Sequence, residues 1–291
     1  MRHLRWVLAL GLVPVGAVAQ TVHYEGGVSA TTGRYLFPER TTSIAWNTGL
    51  SLTAGAVTLR ASVPVWWQNT PLLTASGIGQ LPSGGGGEGS RAVSDSAMAR
   101  RQRGGTGATG RGSGMSPAWA LGPAPVPIEV TQRFQTALGD PMLSGTVRLG
   151  AGRTRLTLGL AAKVPIADTT TFGTGRWDVG ASASLSFQPI ARTLIGVDLA
   201  YWHLGDLAEL DFRDPVTGGV SVSRLFGSSW GGMLTATMAS SPIEGFDGPA
   251  ALGAGLTRFA GRSAWGVMVG IGLTATSPEV SGGVTWRLAV R

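Results

Sequence analysis

From Thr21 onward, hydrophobic and polar positions alternate with a period of two. In 155–164, Leu156, Leu158, Leu160, Ala162 and Val164 oppose Arg155, Thr157, Gly159, Ala161 and Lys163. In 177–187, Trp177, Val179, Ala181, Ala183, Leu185 and Phe187 oppose Asp178, Gly180, Ser182, Ser184 and Ser186. Successive side chains leave opposite faces of a strand, so this pattern predicts strands. About twelve such segments occur, each near the ten residues of a tilted membrane strand. They lie at 21–32, 41–53, 56–68, 142–151, 154–166, 176–187, 191–203, 216–226, 229–240, 249–259, 262–274 and 279–290.

The connections alternate in length. Tight turns follow the even-numbered segments, at Ala54-Gly55, Gly152-Arg153, Gln188-Pro189, Gly227-Ser228 and Ala260-Gly261. Longer loops rich in Gly, Pro, Asp and Thr follow most odd ones. This rhythm predicts an all-β fold, a closed antiparallel up-and-down barrel with both termini at one end, rather than a Greek-key sandwich. One connection stands apart. Residues 70–138 contain LPSGGGGEGS and RRQRGGTGATGRGSG, a basic, glycine-rich composition that predicts a long, mostly disordered extracellular loop.

Composition decides which environment such a barrel suits. Charged residues are 13 % of the 291, against about 25 % in soluble domains, and Lys163 is the single lysine. The polar stripe is Gly, Ser and Thr, poor material for a solvated surface. About twelve strands enclose more space than side chains fill, since roughly eight give a packed interior. The apolar stripe is therefore expected to face lipid and the small-residue stripe an aqueous lumen. The aromatics agree. Trp46, Trp67, Trp177 and Tyr201 fall at the outer strand ends, and Phe187, Phe226, Trp230, Trp265 and Trp286 at the inner ends. Two such rings are the girdles of a transmembrane barrel. At the N-terminus, Arg2 and Arg5 precede a short apolar run and Ala17-Val18-Ala19. This pattern predicts a secretory signal peptide over 1–19, cleaved near Ala19, and the expected mature protein is a barrel over 20–291 in the outer membrane of a Gram-negative-type envelope. With no cysteine, disulfides, thiolate sites and a lipoprotein anchor are excluded.

The segment Lys163-Val164-Pro165-Ile166-Ala167-Asp168, followed by Phe172-Gly173-Thr174-Gly175 and Asp178, resembles the signature of a bacterial outer-membrane transporter family, the MetA-pathway of phenol degradation type. Lys163, Pro165, Asp168, Gly173, Gly175 and Asp178 match that pattern. Ile166-Ala167 replaces the usual Thr-Gly. The resemblance spans about 140 to the C-terminus and implies a barrel for passive uptake of small molecules, hydrophobic or aromatic ones among them. The end departs from outer-membrane barrels generally: Arg291 stands where an aromatic is common, which leaves Trp286 to serve the barrel-assembly machinery.

Aligning Leu156 with Leu185 places Lys163 opposite Asp178, both facing the lumen near its outer mouth. Such a pair contributes about 0.2–1 kcal/mol and either pins the hairpin register or charges the pore's eyelet. The other expected pore-lining charges are Glu25, Arg60, Arg148, Arg155, Arg192, Asp198 and Arg287, whose mixed signs imply no strong ion selectivity. An outer-membrane hydrolase needs a histidine beside Ser or Asp. The mature chain has only His23 and His203, and His203, near Asp206 and Asp211, is the catalytic alternative to a non-enzymatic channel. A plugged structural or adhesive barrel is the other alternative. Asp206, Glu209, Asp211 and Asp214 read as a solvated acidic loop rather than a calcium site. No cofactor, metal or nucleic-acid partner is expected. The expected partners are outer-membrane lipid, the assembly machinery and a small-molecule permeant, for a barrel that is monomeric or weakly oligomeric.

Overall fold

A computed structural model describes residues 20–105, 125–126, 128, 132–169 and 171–290. The signal peptide expected at 1–19 and the terminal Arg291 lie outside the described residues. The strands are β1 (Gln20–Gly33), β2 (Thr41–Ala54), β3 (Val57–Gln68), β4 (Leu73–Ser76), β5 (Gly79–Pro82), β6 (Gln135–Leu138), β7 (Met142–Leu149) and β8 (Thr154–Lys163). They continue as β9 (Asp178–Phe187), β10 (Thr193–His203), β11 (Val216–Phe226), β12 (Trp230–Ala239), β13 (Ala250–Ala260), β14 (Ser263–Gly272) and β15 (Val280–Val290). Among the described residues one helix, α1, spans Gly87–Gly105.

All strands but β4 and β5 join one sheet. β6 and β7 both pair with β3, one beside each half of it, and so form a single wall strand broken at Gly139-Asp140-Pro141. The wall is thus a cylinder of twelve antiparallel staves, closed on one side by β1–β15 and on the other by β2–β3. Closure satisfies every edge, as a bilayer requires. The twelve segments read from alternation coincide with these staves, except that β6 was hidden by the break in the pattern.

The two faces separate as the alternation demands. Leu160 is 70 % exposed on the outer face, as are Trp265, Val267, Val269 and Ile271 along β14. Trp46, Trp177, Tyr201, Phe187, Phe226 and Trp230 are exposed near strand ends, and Trp265 packs against Trp286 with ring centroids 6.2 Å apart. Trp67 pairs with outward Ile44.

The packed apolar core is not inside the cylinder wall. It caps the end that carries the long loops. Tyr35, Leu36 and Phe37 from the β1–β2 loop meet Leu204, Leu210 and Phe212 from the β10–β11 loop and Ile243 and Phe246 from the β12–β13 loop. The β3–β6 insert supplies the rest: Leu72, Leu73, Leu81, Val93, Ala97 and Val126. The disorder expected over 70–138 is therefore corrected for 73–105, which form the hairpin β4–β5 and α1. The glycine-rich composition concealed a sparse set of apolar residues. Val93 and Ala97, four apart, face the cap on one side of an otherwise polar helix, and Glu88 favours its N-terminal turn.

Closure gives a direct test. Thr31 and Ser281 are cross-strand partners on the enclosed face of β1 and β15, and directly paired Cα atoms lie at disulfide-compatible spacing. In this cysteine-free chain, Thr31→Cys with Ser281→Cys should oxidise to one intramolecular disulfide. A faster band on a non-reducing gel that vanishes with reductant is the expected result.

Candidate functional site

The site is the enclosed face of the barrel and the hairpin lodged across it. On one side Gln80 of β5 holds the wall: its Nε2 donates to Ser43 Oγ and to Gln68 Oε1, both at 2.8 Å, and Thr31 Oγ1 donates to its Oε1 at 3.1 Å. On the other side the Gly77 amide donates to Asp178 Oδ2 at 2.7 Å. The Ala75 amide and the Thr74 hydroxyl donate to the Phe172 carbonyl at 3.0 and 2.9 Å. Gly77 abuts the Trp202 indole, where a Cβ would overlap the ring. The hairpin thus forms a chord from β1–β3 to β8–β10.

Lys163 is the latch of that chord. The register places it directly opposite Asp178, as the sequence predicts, but neither residue lines an open lumen. Lys163 is 1 % exposed. Its Nζ donates to Thr174 Oγ1 at 2.6 Å and to the Ala75 carbonyl at 3.4 Å, and stands 3.3 Å from both Asp178 Oδ2 and Asp140 Oδ2. The hairpin covers the pair, so the pore-lining assignment of Lys163 and Asp178 is corrected: they anchor the insert to the wall. Backbone amides hold the carboxylates further: Gly77 and Gly205 donate to Asp178, and Ile166 and Ala167 both donate to Asp140 Oδ1, which leaves the buried Asp140 Oδ2 to Lys163. Burial of charge on this scale requires such partners. The remaining motif residues, Pro165, Asp168, Gly173 and Gly175, shape the 164–177 loop that presents Thr174 and Phe172. The Asp168 carbonyl accepts from the Thr171 and Gly173 amides. Asp140 escaped the sequence reading; its signal is the Asp-Pro step that interrupts alternation between Leu138 and Met142.

Beside the hairpin, toward β9–β13, lies a cavity of about 540 Å³ lined by Tyr35, Ile78, Leu81, Ser184, Asp198, Thr217 and Thr237 among others. Ser184 donates to Asp198. Nearer the short-turn end lies a second cavity of about 470 Å³. Its inner face is not the small-residue surface expected: Leu194, Leu225, Met233, Phe259 and Met268 point into it. A Cβ on Gly231 would stand 3.1 Å from the Phe259 ring and 3.4 Å from Leu225. None of these residues stands out in the sequence, because only the pairing of neighbouring staves brings them to one cavity.

Of the other expected luminal charges, Glu25, Arg60 and Arg287 are brought together. Arg60 Nε lies 2.7 Å from Glu25 Oε2, and Arg287 Nε lies 3.2 Å from Oε1. Ser51 Oγ donates to Oε1 at 2.7 Å. Arg60 reaches Glu25 diagonally across β2, where Gly49 faces Glu25 and Ser51 faces Arg60. Arg192 lines the second cavity. Arg148 pairs with Thr157, and Arg155 with Ser186, on the enclosed face toward the turn end. His203 is not joined to Asp206 or Asp211. It stands on the outer face with Nδ1 3.0 Å from Asp214 Oδ1, while Asp206 accepts from the Phe212 amide at 2.7 Å. The Tyr201 hydroxyl, donating to Asp214, is the main reason that carboxyl sits below its usual range; His203 and the Leu204 amide add to this against a smaller effect of burial.

A closed antiparallel cylinder with an apolar outer band is an outer-membrane-type barrel. Among solved structures it is similar to the COG4313 outer membrane channel from Pseudomonas putida F1, with a TM-score of 0.59 and 10 % identity over 94 % of this chain and 97 % of that one. The NanC porin gives a TM-score of 0.49 at 7 % identity over 92 % of this chain and 100 % of that one. The CymD monoaromatic hydrocarbon channel gives 0.45 at 8 % identity over 96 % and 92 %. At such identities the likeness is one of fold. No protein-family model matches the sequence, the family resembled at 163–178 included, and no curated protein matches it significantly.

Proposed function

We propose that this chain is an outer-membrane channel through which small molecules move passively, past a hairpin of its own. The observation that carries this reading is the pairing of a lipid-compatible outer band with cavities on the enclosed face, one beside the hairpin and one nearer the turn end. Both adjoin β10–β13, so the permeant descends along those staves while the chord blocks the rest of the section. The mixed lining, hydroxyls above and Leu, Met and Phe below, suits amphipathic or aromatic molecules, in line with the resemblance at 163–178. After loss of 1–19, the short turns face the periplasm and the cap faces outward; lipid, the assembly machinery and the permeant are the partners. The wall supplies selection and no residue performs covalent chemistry. His203 on the outer rim gives the hydrolase alternative no support.

The cap core favours one second reading, a closed barrel that displays its loops as a scaffold or adhesin. Planar-bilayer reconstitution separates the two. Discrete conductance steps are the expected result, and a heat-modifiable, folded barrel that passes no current would establish the scaffold reading instead.

A further inference from the structure

We infer that the turn-end half of the lumen is a binding site for small amphipathic monocarboxylates, the anionic head held by Arg60 and Arg287 and the apolar body by Met233, Phe259 and Met268. This rests on the channel reading and names the substrate class of the same lumen.

The charge balance comes first. Two guanidiniums share one carboxylate, so the Glu25 cluster carries a surplus positive charge. Glu25 is saturated: its side chain is 16 % exposed, and its oxygens take Arg60, Arg287 and Ser51. The arginines are not. Their side chains are 53 % and 46 % exposed, and each spends its Nε on Glu25. Among the described residues the Nη groups of Arg60 take no partner, and those of Arg287 meet only His23, at 3.5 Å. A guanidinium edge left free in this way matches a carboxylate in two-pronged fashion.

The cavity in front of them is about 300 Å³ and is lined by Glu25, Arg60 and Arg287 together with Thr257, Gly266 and Thr285. Those last three residues also line the 470 Å³ cavity that holds Met233, Phe259 and Met268, so the cationic and apolar surfaces are contiguous. Apart from Glu25, no acidic residue among those described lines either cavity. The size is that of a small-ligand pocket, and methionine adapts to varied apolar shapes. Asp198 lines the other cavity, the one beside the hairpin.

The test is calorimetric titration of the protein in lipid nanodiscs, with empty discs as blank. The probes are benzoate and its neutral counterpart, benzyl alcohol. Benzoate is expected to bind about tenfold or more tightly than the alcohol, the size of one charge-assisted hydrogen bond. Arg60→Gln with Arg287→Gln should erase that preference and leave the alcohol unchanged, whereas Glu25→Gln should tighten benzoate binding. Equal affinity of the two probes for the unmodified protein, or weaker benzoate binding in Glu25→Gln, would overturn the site; both measurements stand if the double variant does not fold. A protein that binds benzoate but passes no current keeps this site and loses the channel. One that conducts without preferring benzoate does the reverse.

Discussion

Lys163→Met is expected to raise single-channel conductance several-fold and to make it fluctuate. The substitution leaves Asp140 and Asp178 as two buried carboxylates without their shared cation. Removing one member of a buried ion cluster costs about 3–5 kcal/mol. The barrel has two ways to relieve that cost: unfold, or let water in. Unfolding would break the ladders of all twelve staves, whereas admitting water requires only that the hairpin lift from the wall. Its anchors on that side are the Gly77 amide on Asp178, the Ala75 carbonyl on Lys163, the Thr74 hydroxyl and Ala75 amide on the Phe172 carbonyl, and the contact with Trp202. Two of these involve the cluster directly. A triple variant, Asp140→Asn with Lys163→Met and Asp178→Asn, removes all the charge and should return conductance toward the parent value, since a neutralised cluster no longer needs water. Parent-like conductance and stability in Lys163→Met would show that the latch does not hold the hairpin.

Leu234→Arg should destabilise the barrel by about 2–4 kcal/mol, the cost of a cation on the lipid face near the bilayer midplane, while Thr235→Arg should leave stability nearly unchanged. The two residues are neighbours midway along β12. Leu234 is 65 % exposed on the outer face; Thr235 points inward beside Gly253, whose Cβ would stand 2.7 Å from its Oγ1. Denaturant unfolding in liposomes reads the difference. A reversed order would mean that the apolar stripe does not meet lipid, and the assignment of inside and outside would fall with it.

Lys163 and Asp178 show how far the sequence reaches. Aligning the Leu156 and Leu185 stripes was enough to pair them, because a one-residue slip would turn every side chain to the wrong face. Their burial was out of reach, because the atoms that cover them, Ala75 and Gly77, are 88 and 101 residues distant in a stretch whose composition reads as disordered. Glu25, Arg60 and Arg287 were likewise assigned to one face, but only closure of the cylinder brings the two ends of the chain together and sets β15 beside β1.

By itself, then, the chain determines the staves, the turns and the face each side chain takes, since period-two alternation is a local property of the extended backbone. Whether the cylinder is open or crossed, and which inward residues share a cavity, is decided by tertiary structure alone. Those outcomes depend on contacts between segments far apart in sequence, where a few apolar residues and one lysine outweigh the glycine-rich composition around them.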